Sequence, residues 1–211
     1  MTSQSAFFWR TSTDRSLDAL AHDPDAPEFL RAPLRRWMTW QERNQTTLAQ
    51  ALRAAQLAPA WAANLVVLQA HVGDASQSQP YAQALRRPRA WAWLALPHAP
   101  WPHAADWVAR APTDDPIVYV AAALQIDAAG HLAAVQVALT GVSARPVFLP
   151  TSPANFVGQP ATDETLQALA QAVAAETRPK GDFRGSAEYR RAMAAVLTRR
   201  ALQAARALAT A

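Results

Sequence analysis

The stretch Asp182–Ala207, DFRGSAEYRRAMAAVLTRRALQAARA, constrains the fold more than any other part of the chain. Gly181 and Gly185 bracket a short turn. Ser186 then supplies an N-cap, with Glu188 in the first helical turn, where a carboxylate suits the positive end of the helix dipole. Beyond the cap, Tyr189, Met193, Val196, Leu197, Ala201, Ala204 and Leu208 recur every three or four residues, the spacing of one apolar stripe on a long helix. Such a stripe must pack on a sheet or a helix pair, and each larger side chain it buries contributes roughly 1.5–3 kcal/mol. On periodicity alone Arg190, Arg191, Arg199 and Arg200 form a solvated basic face.

The partner for that helix is legible upstream. Between Ile117 and Leu149 the pattern is a β-meander: IVYVAAALQID runs to the turn Asp127-Ala128-Ala129-Gly130, and HLAAVQVALTGV returns, with Val135, Val137 and Leu139 alternating against Gln136, Ala138 and Thr140. ARPVFLP reads as a short third strand closed by Pro150. Thr162 caps a helix over Asp163–Glu176 whose buried stripe is Leu166, Leu169, Ala170 and Val173, and Pro179 follows its end. The class expected is α+β, with a three-stranded antiparallel sheet packed against C-terminal helices.

The first half is less regular. Residues 1 to about 25 are polar, with Phe7, Phe8 and Trp9 as a single anchor. Pro27–Trp40 spaces Phe29, Leu30, Leu34, Trp37 and Met38 for one helix face, opposite Arg31, Arg35 and Arg36. Glu42–Leu52 has the look of a short polar turn before a helix. PAWAANLVVLQAHV, residues 59–72, reads as a short helix leading into a buried strand from Leu65 to Val72, and Asp74–Pro80 as a polar turn. A further strand is expected over Arg89–Leu96, where Trp91 and Trp93 suit a sheet. Pro97–Pro102 breaks regular structure and divides residues 1–97 from 103–211.

Several functions are excluded by residue usage. The 211 residues contain no cysteine, so no disulfide framework, thiol nucleophile or iron–sulfur ligation belongs to this chain. A sequence pI near 10.3 accompanies a net charge of only +4 and scattered arginines, without the interleaved basic and aromatic residues of a nucleic-acid module. Six of the eight tryptophans cluster, at Trp37 and Trp40 and at Trp91, Trp93, Trp101 and Trp107, a sign of local aromatic packing or a partner surface. No stretch approaches the ~18 apolar residues of a membrane span, and no signal-peptide core is present, so the expected compartment is the cytoplasm. His98 and His103 lack a third ligand at useful spacing and read as loop residues. No nucleophile–base set or paired carboxylates can be assembled; Asp114 and Asp115, being adjacent, are a poor pair.

The segment D-x-R-G-S-A-x-Y-R-R, followed by an apolar helix with paired arginines, resembles the C-terminal signature of the flavin-carrying medium subunit of molybdenum hydroxylases, the family of xanthine dehydrogenase and aerobic carbon monoxide dehydrogenase. The residues that carry it are Asp182, Arg184, Gly185, Ser186, Ala187, Glu188, Tyr189, Arg190, Arg199 and Arg200. A second, weaker match lies at Arg43-Asn44 and Thr47, with Leu48 and Leu52, against the family's R-N-x-x-T-I-G-G-N-L pattern, in which the paired glycines let a flavin pyrophosphate lie against backbone N–H groups. Here Ala49 and Gln50 stand in place of those glycines, and Ala51 in place of the asparagine. A glycine pair supplies left-handed geometry and lets phosphate approach without a Cβ in the way. The family's upstream A-G-G phosphate loop has no counterpart, since the 42 residues before Arg43 hold no glycine, so the first flavin-holding subdomain is expected to be missing. Trp107, Arg110 and Asp114 resemble what is left of an aromatic, Lys and R-x-x-D element near the flavin ring, without the lysine.

The resemblance implies a remnant of the second FAD-binding subdomain over residues 1–97 and, over residues 103–211, the C-terminal domain of a medium subunit. It also implies a role as a non-catalytic, structural or partner-docking subunit of an oxidoreductase complex. The expected partners are a large subunit with the molybdenum cofactor and a small subunit with [2Fe-2S] clusters. Asp182, Arg184, Ser186, Tyr189, Arg190, Arg199 and Arg200 are then signature or docking residues, and no FAD is expected on this chain. Two alternatives stand beside this: a medium subunit that retains FAD through Arg43, Asn44 and Thr47, and a free-standing interaction protein.

Overall fold

In the computed structural model, which describes residues 7–210, the chain divides into two units, Met1–Pro100 and Trp101–Ala211. The first unit opens with strand β1 (Phe7–Ser12) and helix α1 (Leu17–Ala21), capped by Ser16. Helices α2 (Glu28–Trp37), α3 (Trp40–Gln45), α4 (Leu48–Arg53) and α5 (Pro59–Val67) follow. Strands β2 (His71–Gly73) and β3 (Ser78–Pro80), the short helix α6 (Tyr81–Ala84) and strand β4 (Trp93–Pro97) complete it. The strands form one antiparallel sheet in the order β1-β4-β2-β3.

Five expectations for this unit need correction, the first being the polar turn over Asp74–Pro80, whose last three residues are strand β3 paired with β2. Residues 7–21 hold a strand and a helix, with Trp9, Leu17, Leu20 and Ala21 buried, and are not a polar run with one anchor; residues 1–6 of that expectation lie outside the described residues. The helix expected over Pro27–Trp40 stops at Trp37, because Thr39 starts α3 with a capping box closed by Glu42; Leu30, Pro33 and Leu34 are its buried residues. The strand expected from Leu65 belongs mostly to α5, which is buried from Ala60 to Val67 and so carries no amphipathic signature. Gln69, with φ of 52°, ends that run, and only His71–Gly73 pairs as strand. The strand expected from Arg89 begins at Trp93; Trp91 is buried ahead of it under the Arg89 guanidinium, 3.9 Å from its ring centroid.

The second unit holds strands β5 (His103–Val108), β6 (Val118–Ile126) and β7 (Leu132–Thr140) and helices α7 (Asp163–Glu176) and α8 (Ala187–Ala209). The sheet is antiparallel in the order β5-β6-β7. Its third strand therefore lies upstream of the hairpin. Arg145–Pro150 makes only one bridge, Phe148 to Leu139, with N–H···O distances of 2.8 and 2.9 Å. β6 is buried along Val118–Leu124, on both faces, which accounts for its continuous apolar sequence.

α7 keeps its expected cap at Thr162 and its expected stripe. α8 keeps its cap at Ser186, and Leu197 and Ala201 of the expected stripe are buried, but the helix is rotated so that the rest of the buried face differs. Arg190, Ala194, Ala195, Leu197, Thr198, Ala201, Leu202 and Ala205 are buried, while Tyr189 is 38% and Leu208 61% exposed. Periodicity gives weight to the larger side chains. The sheet instead takes the alanine-rich face, which permits close approach to β5 and β6, and Arg190 fixes the rotation by reaching sheet carbonyls.

Candidate functional site

Two clusters hold many of the residues singled out by sequence. The first surrounds the start of α4. Arg43, near the end of α3, places Nε 2.8 Å from Asp18 Oδ1 on α1 and donates from Nη1 to the Met38 carbonyl at 2.7 Å. Both side chains of the pair are mostly buried, at 12% and 20% exposure. Arg43 therefore ties α1 to the α2–α3 junction. Asn44 is exposed and folds back on its own helix, Nδ2 to the Trp40 carbonyl at 2.9 Å. Thr47 is the N-cap of α4, its hydroxyl accepting from the Gln50 amide at 3.3 Å, and Gln50 Oε1 accepts from the Thr47 amide at 2.8 Å.

The remaining amides of the first turn are also engaged. Leu48 N–H donates to the Arg15 carbonyl at 2.9 Å and Ala49 N–H to the Thr13 carbonyl at 2.8 Å. Ser16 and Thr47 form an antiparallel bridge, and Leu17 N–H returns a bond to the Thr46 carbonyl at 2.8 Å. All four main-chain donors from Thr47 to Gln50 are thus satisfied within the chain. Sequence reasoning missed Thr13 and Arg15, which act here through their backbone and so carry no motif. The one signal that could have found them is Ser16, an N-cap before Leu17 and Leu20.

The second cluster is built on the turn before α8. Asp182 and Gly185 exchange backbone bonds at 3.1 and 3.2 Å, and Asp182 Oδ1 accepts from the amides of Arg184 and Gly185 at 2.8 and 3.2 Å. The Arg190 side chain, 6% exposed, donates from Nη2 to both Asp182 oxygens at 2.8 Å. From Nη1 it donates to the carbonyls of Ile117, just before β6, and Gly141, just after β7, at 2.7 and 2.9 Å. The hydrogen bond from Arg190, and then those from the Arg184 and Gly185 amides, hold the Asp182 carboxyl below the ordinary range. Arg190 is accordingly an internal clamp, not part of a solvated face.

The other signature residues lie at the surface. Arg184 donates to the Asp115 carbonyl. Ser186 accepts from the Tyr189 amide at 3.1 Å, and the Tyr189 ring covers Gly185, where an added Cβ would sit 3.0 Å from it. Arg199 bonds Gln167 Oε1 at 3.0 Å, and Arg200 stands 3.7 Å from Asp106. Trp107 stacks on Tyr119 across β5 and β6, with ring centroids 6.4 Å apart, whereas Arg110 and Asp114 are exposed in the following turns. His103 Nδ1 lies 2.8 Å from the Trp101 carbonyl. Among the described residues no group of three His, Asp or Glu could hold a metal ion, and no helix is long and apolar enough to cross a membrane.

Residues 104–205 match the family described as CO dehydrogenase flavoprotein C-terminal domain. No curated protein matches the sequence significantly. Among solved structures, quinoline 2-oxidoreductase from Pseudomonas putida 86 is similar at a TM-score of 0.77 and 21% identity, over 98% of this chain and 78% of that one. A carbon monoxide dehydrogenase from Hydrogenophaga pseudoflava, described as lacking the Mo-pyranopterin moiety of the molybdenum cofactor, gives 0.76 and 21% over 94% and 75%. Reconstituted CO dehydrogenase from Oligotropha carboxidovorans gives 0.69 and 22%, again over 94% and 75%. At these identities the likeness is one of fold.

Proposed function

We propose that this chain, whose residues 104–205 match the CO dehydrogenase flavoprotein C-terminal domain family, belongs to that family, is a structural, partner-docking subunit of a multi-subunit molybdenum hydroxylase, and binds no FAD. The unit from Met1 to Pro100 is then a remnant of a flavin-binding subdomain, kept for shape. The observation that carries the reading is the engagement of every main-chain donor from Thr47 to Gln50 inside the chain. A pyrophosphate is held by free amide donors at a helix start or a backbone nest. Here each donor would first have to give up an existing bond, including the one that the folded-back Gln50 side chain makes to the Thr47 amide. A micromolar site is worth only about 8 kcal/mol, so loss of several phosphate contacts removes it.

The complete clamp of the second unit supports the docking half of the proposal, since the domain is held in shape by its own residues. The molybdenum cofactor named for the Hydrogenophaga relative supports a partner carrying that group. A large subunit with the molybdenum cofactor and a small one with [2Fe-2S] clusters would bring the redox centres, and this chain would contribute surface. Purification of the tagged chain from its native host, followed by molybdenum, iron and flavin analysis, tests this. Molybdenum and iron should copurify, with FAD far below one per chain. Stoichiometric FAD, or a monomer that brings neither metal, would sink the reading.

A further inference from the structure

The segment Thr13–Ser16 runs along the start of α4 with the Thr13 and Arg15 carbonyls turned toward the helix. Thr13 C=O takes the Ala49 N–H at 2.8 Å and Arg15 C=O takes the Leu48 N–H at 2.9 Å, both on one side of the Ser16–Thr47 bridge, with Leu17 N–H to the Thr46 carbonyl on the other. The segment is itself anchored at several points. Thr13 donates its amide to the Ala92 carbonyl at 3.1 Å and its hydroxyl to the Trp91 carbonyl. Arg15 pairs with Asp23 at 2.7 Å and reaches the Thr11 hydroxyl at 3.0 Å. Leu17, just beyond Ser16, is fully buried.

We infer that this strap is an internal occupant of the α4 start: a peptide edge takes the amide donors a dinucleotide phosphate would need, so the strap, and not only the lost glycine pair, bars the cofactor. The inference rests on the reading that the chain binds no FAD, and goes beyond it by naming what holds the donors. Its physical basis is a change of sign. An anion reaching this turn meets the carbonyl oxygens of Thr13 and Arg15, which are acceptors with partial negative charge, in place of bare N–H groups. The nearest strap cation, Arg15, is already paired with Asp23.

Restoring glycine therefore does not restore the site. In the variant Ala49→Gly/Gln50→Gly the backbone gains freedom, but the Leu48 and Ala49 amides still face the strap. FAD titration of the wild-type full chain and of this variant, followed by flavin fluorescence, is the first measurement. Neither should show saturable binding. The second is native-state hydrogen exchange of the Leu48 and Ala49 amides in the wild-type chain, which needs no variant to fold. These two should exchange only when the unit opens, unlike free helix-start amides, which exchange without opening. Binding by the glycine variant alone, or rapid exchange at Leu48 and Ala49, overturns the strap and leaves the flavin-free reading standing. Binding by the wild-type chain overturns both.

Discussion

Arg190 donates to both carboxylate oxygens of Asp182 from one terminal nitrogen, Nη2, at 2.8 Å. Its other terminal nitrogen spans two sheet carbonyls, so a single guanidinium joins the pre-helix turn, the start of β6 and the end of β7. Replacement by methionine keeps the apolar stem of the side chain and removes every donor. The carbonyls of Ile117 and Gly141 are then left without it. The expected loss is about 3 kcal/mol, from those two carbonyls and not from the ion pair, since Asp182 is 45% exposed. Arg190→Lys should recover little, since one ammonium cannot reproduce the fork. Urea denaturation of the full chain reads the shift, and an unchanged midpoint for Arg190→Met would contradict the clamp.

The same pair sets an acid limit. The folded-state pKa of Asp182 is depressed, with Arg190 as the main cause, so its contribution is complete above the ordinary carboxylate value of about 3.9 and fades as pH falls through the lower folded value. Asp182→Asn should therefore be less stable than wild type at about pH 6, with the gap narrowing toward about pH 3. Denaturation midpoints at the two pH values check this. A constant gap would place the stabilisation in the turn's geometry and not in the charge.

Gly141 and Gly130 both have positive φ, 76° and 83°, but differ in surroundings. A Cβ at Gly141 would sit 2.1 Å from the Ile117 carbonyl oxygen, whereas one at Gly130 meets nothing within 4 Å. Gly130→Ala should cost only the conformational strain, about 1–2 kcal/mol. Gly141→Ala adds a backbone clash where Arg190 already binds both carbonyls, and should lower the melting temperature well beyond that. Equal effects in a thermal melt of the two variants would remove the argument.

The second unit was more legible than the first because its elements announce themselves locally. Thr162 and Ser186 are caps before long helices, and Asp127–Gly130 is a turn between two apolar runs. What failed there depended on tertiary choice. Alanines on several faces of α8 left its rotation to Arg190, and nothing in Arg145–Pro150 says that His103–Val108 would take the third place in the sheet. In the first unit, α5 is buried all round, so a helix could not be told from a strand by period. The candidate site was half legible. Residues 43–50 drew attention to themselves, but the groups that take the Leu48 and Ala49 donors are main-chain carbonyls of Arg15 and Thr13, which every residue type carries and no side-chain pattern marks.

Arg43 offers the sharpest separation of a structural from a flavin role. If it served a cofactor, its removal would lower FAD affinity and spare the apo chain. Its geometry says the reverse: Nε is committed to Asp18 at 2.8 Å and Nη1 to the Met38 carbonyl at 2.7 Å, in a pair mostly shielded from water. Hydrogen bonds to charged groups at such sites contribute about 1.5–3 kcal/mol, so Arg43→Ala should destabilise the first unit by about 2 kcal/mol. The loss should be identical with and without added FAD. Asn44→Ala, which gives up only a bond to its own helix, should stay within about 0.5 kcal/mol. A double-mutant cycle with Asp18→Asn completes the case. Coupling of Arg43 to Asp18 in chemical denaturation places the arginine in the fold, and a stabilising response to FAD that disappears in Arg43→Ala would place it in a flavin site.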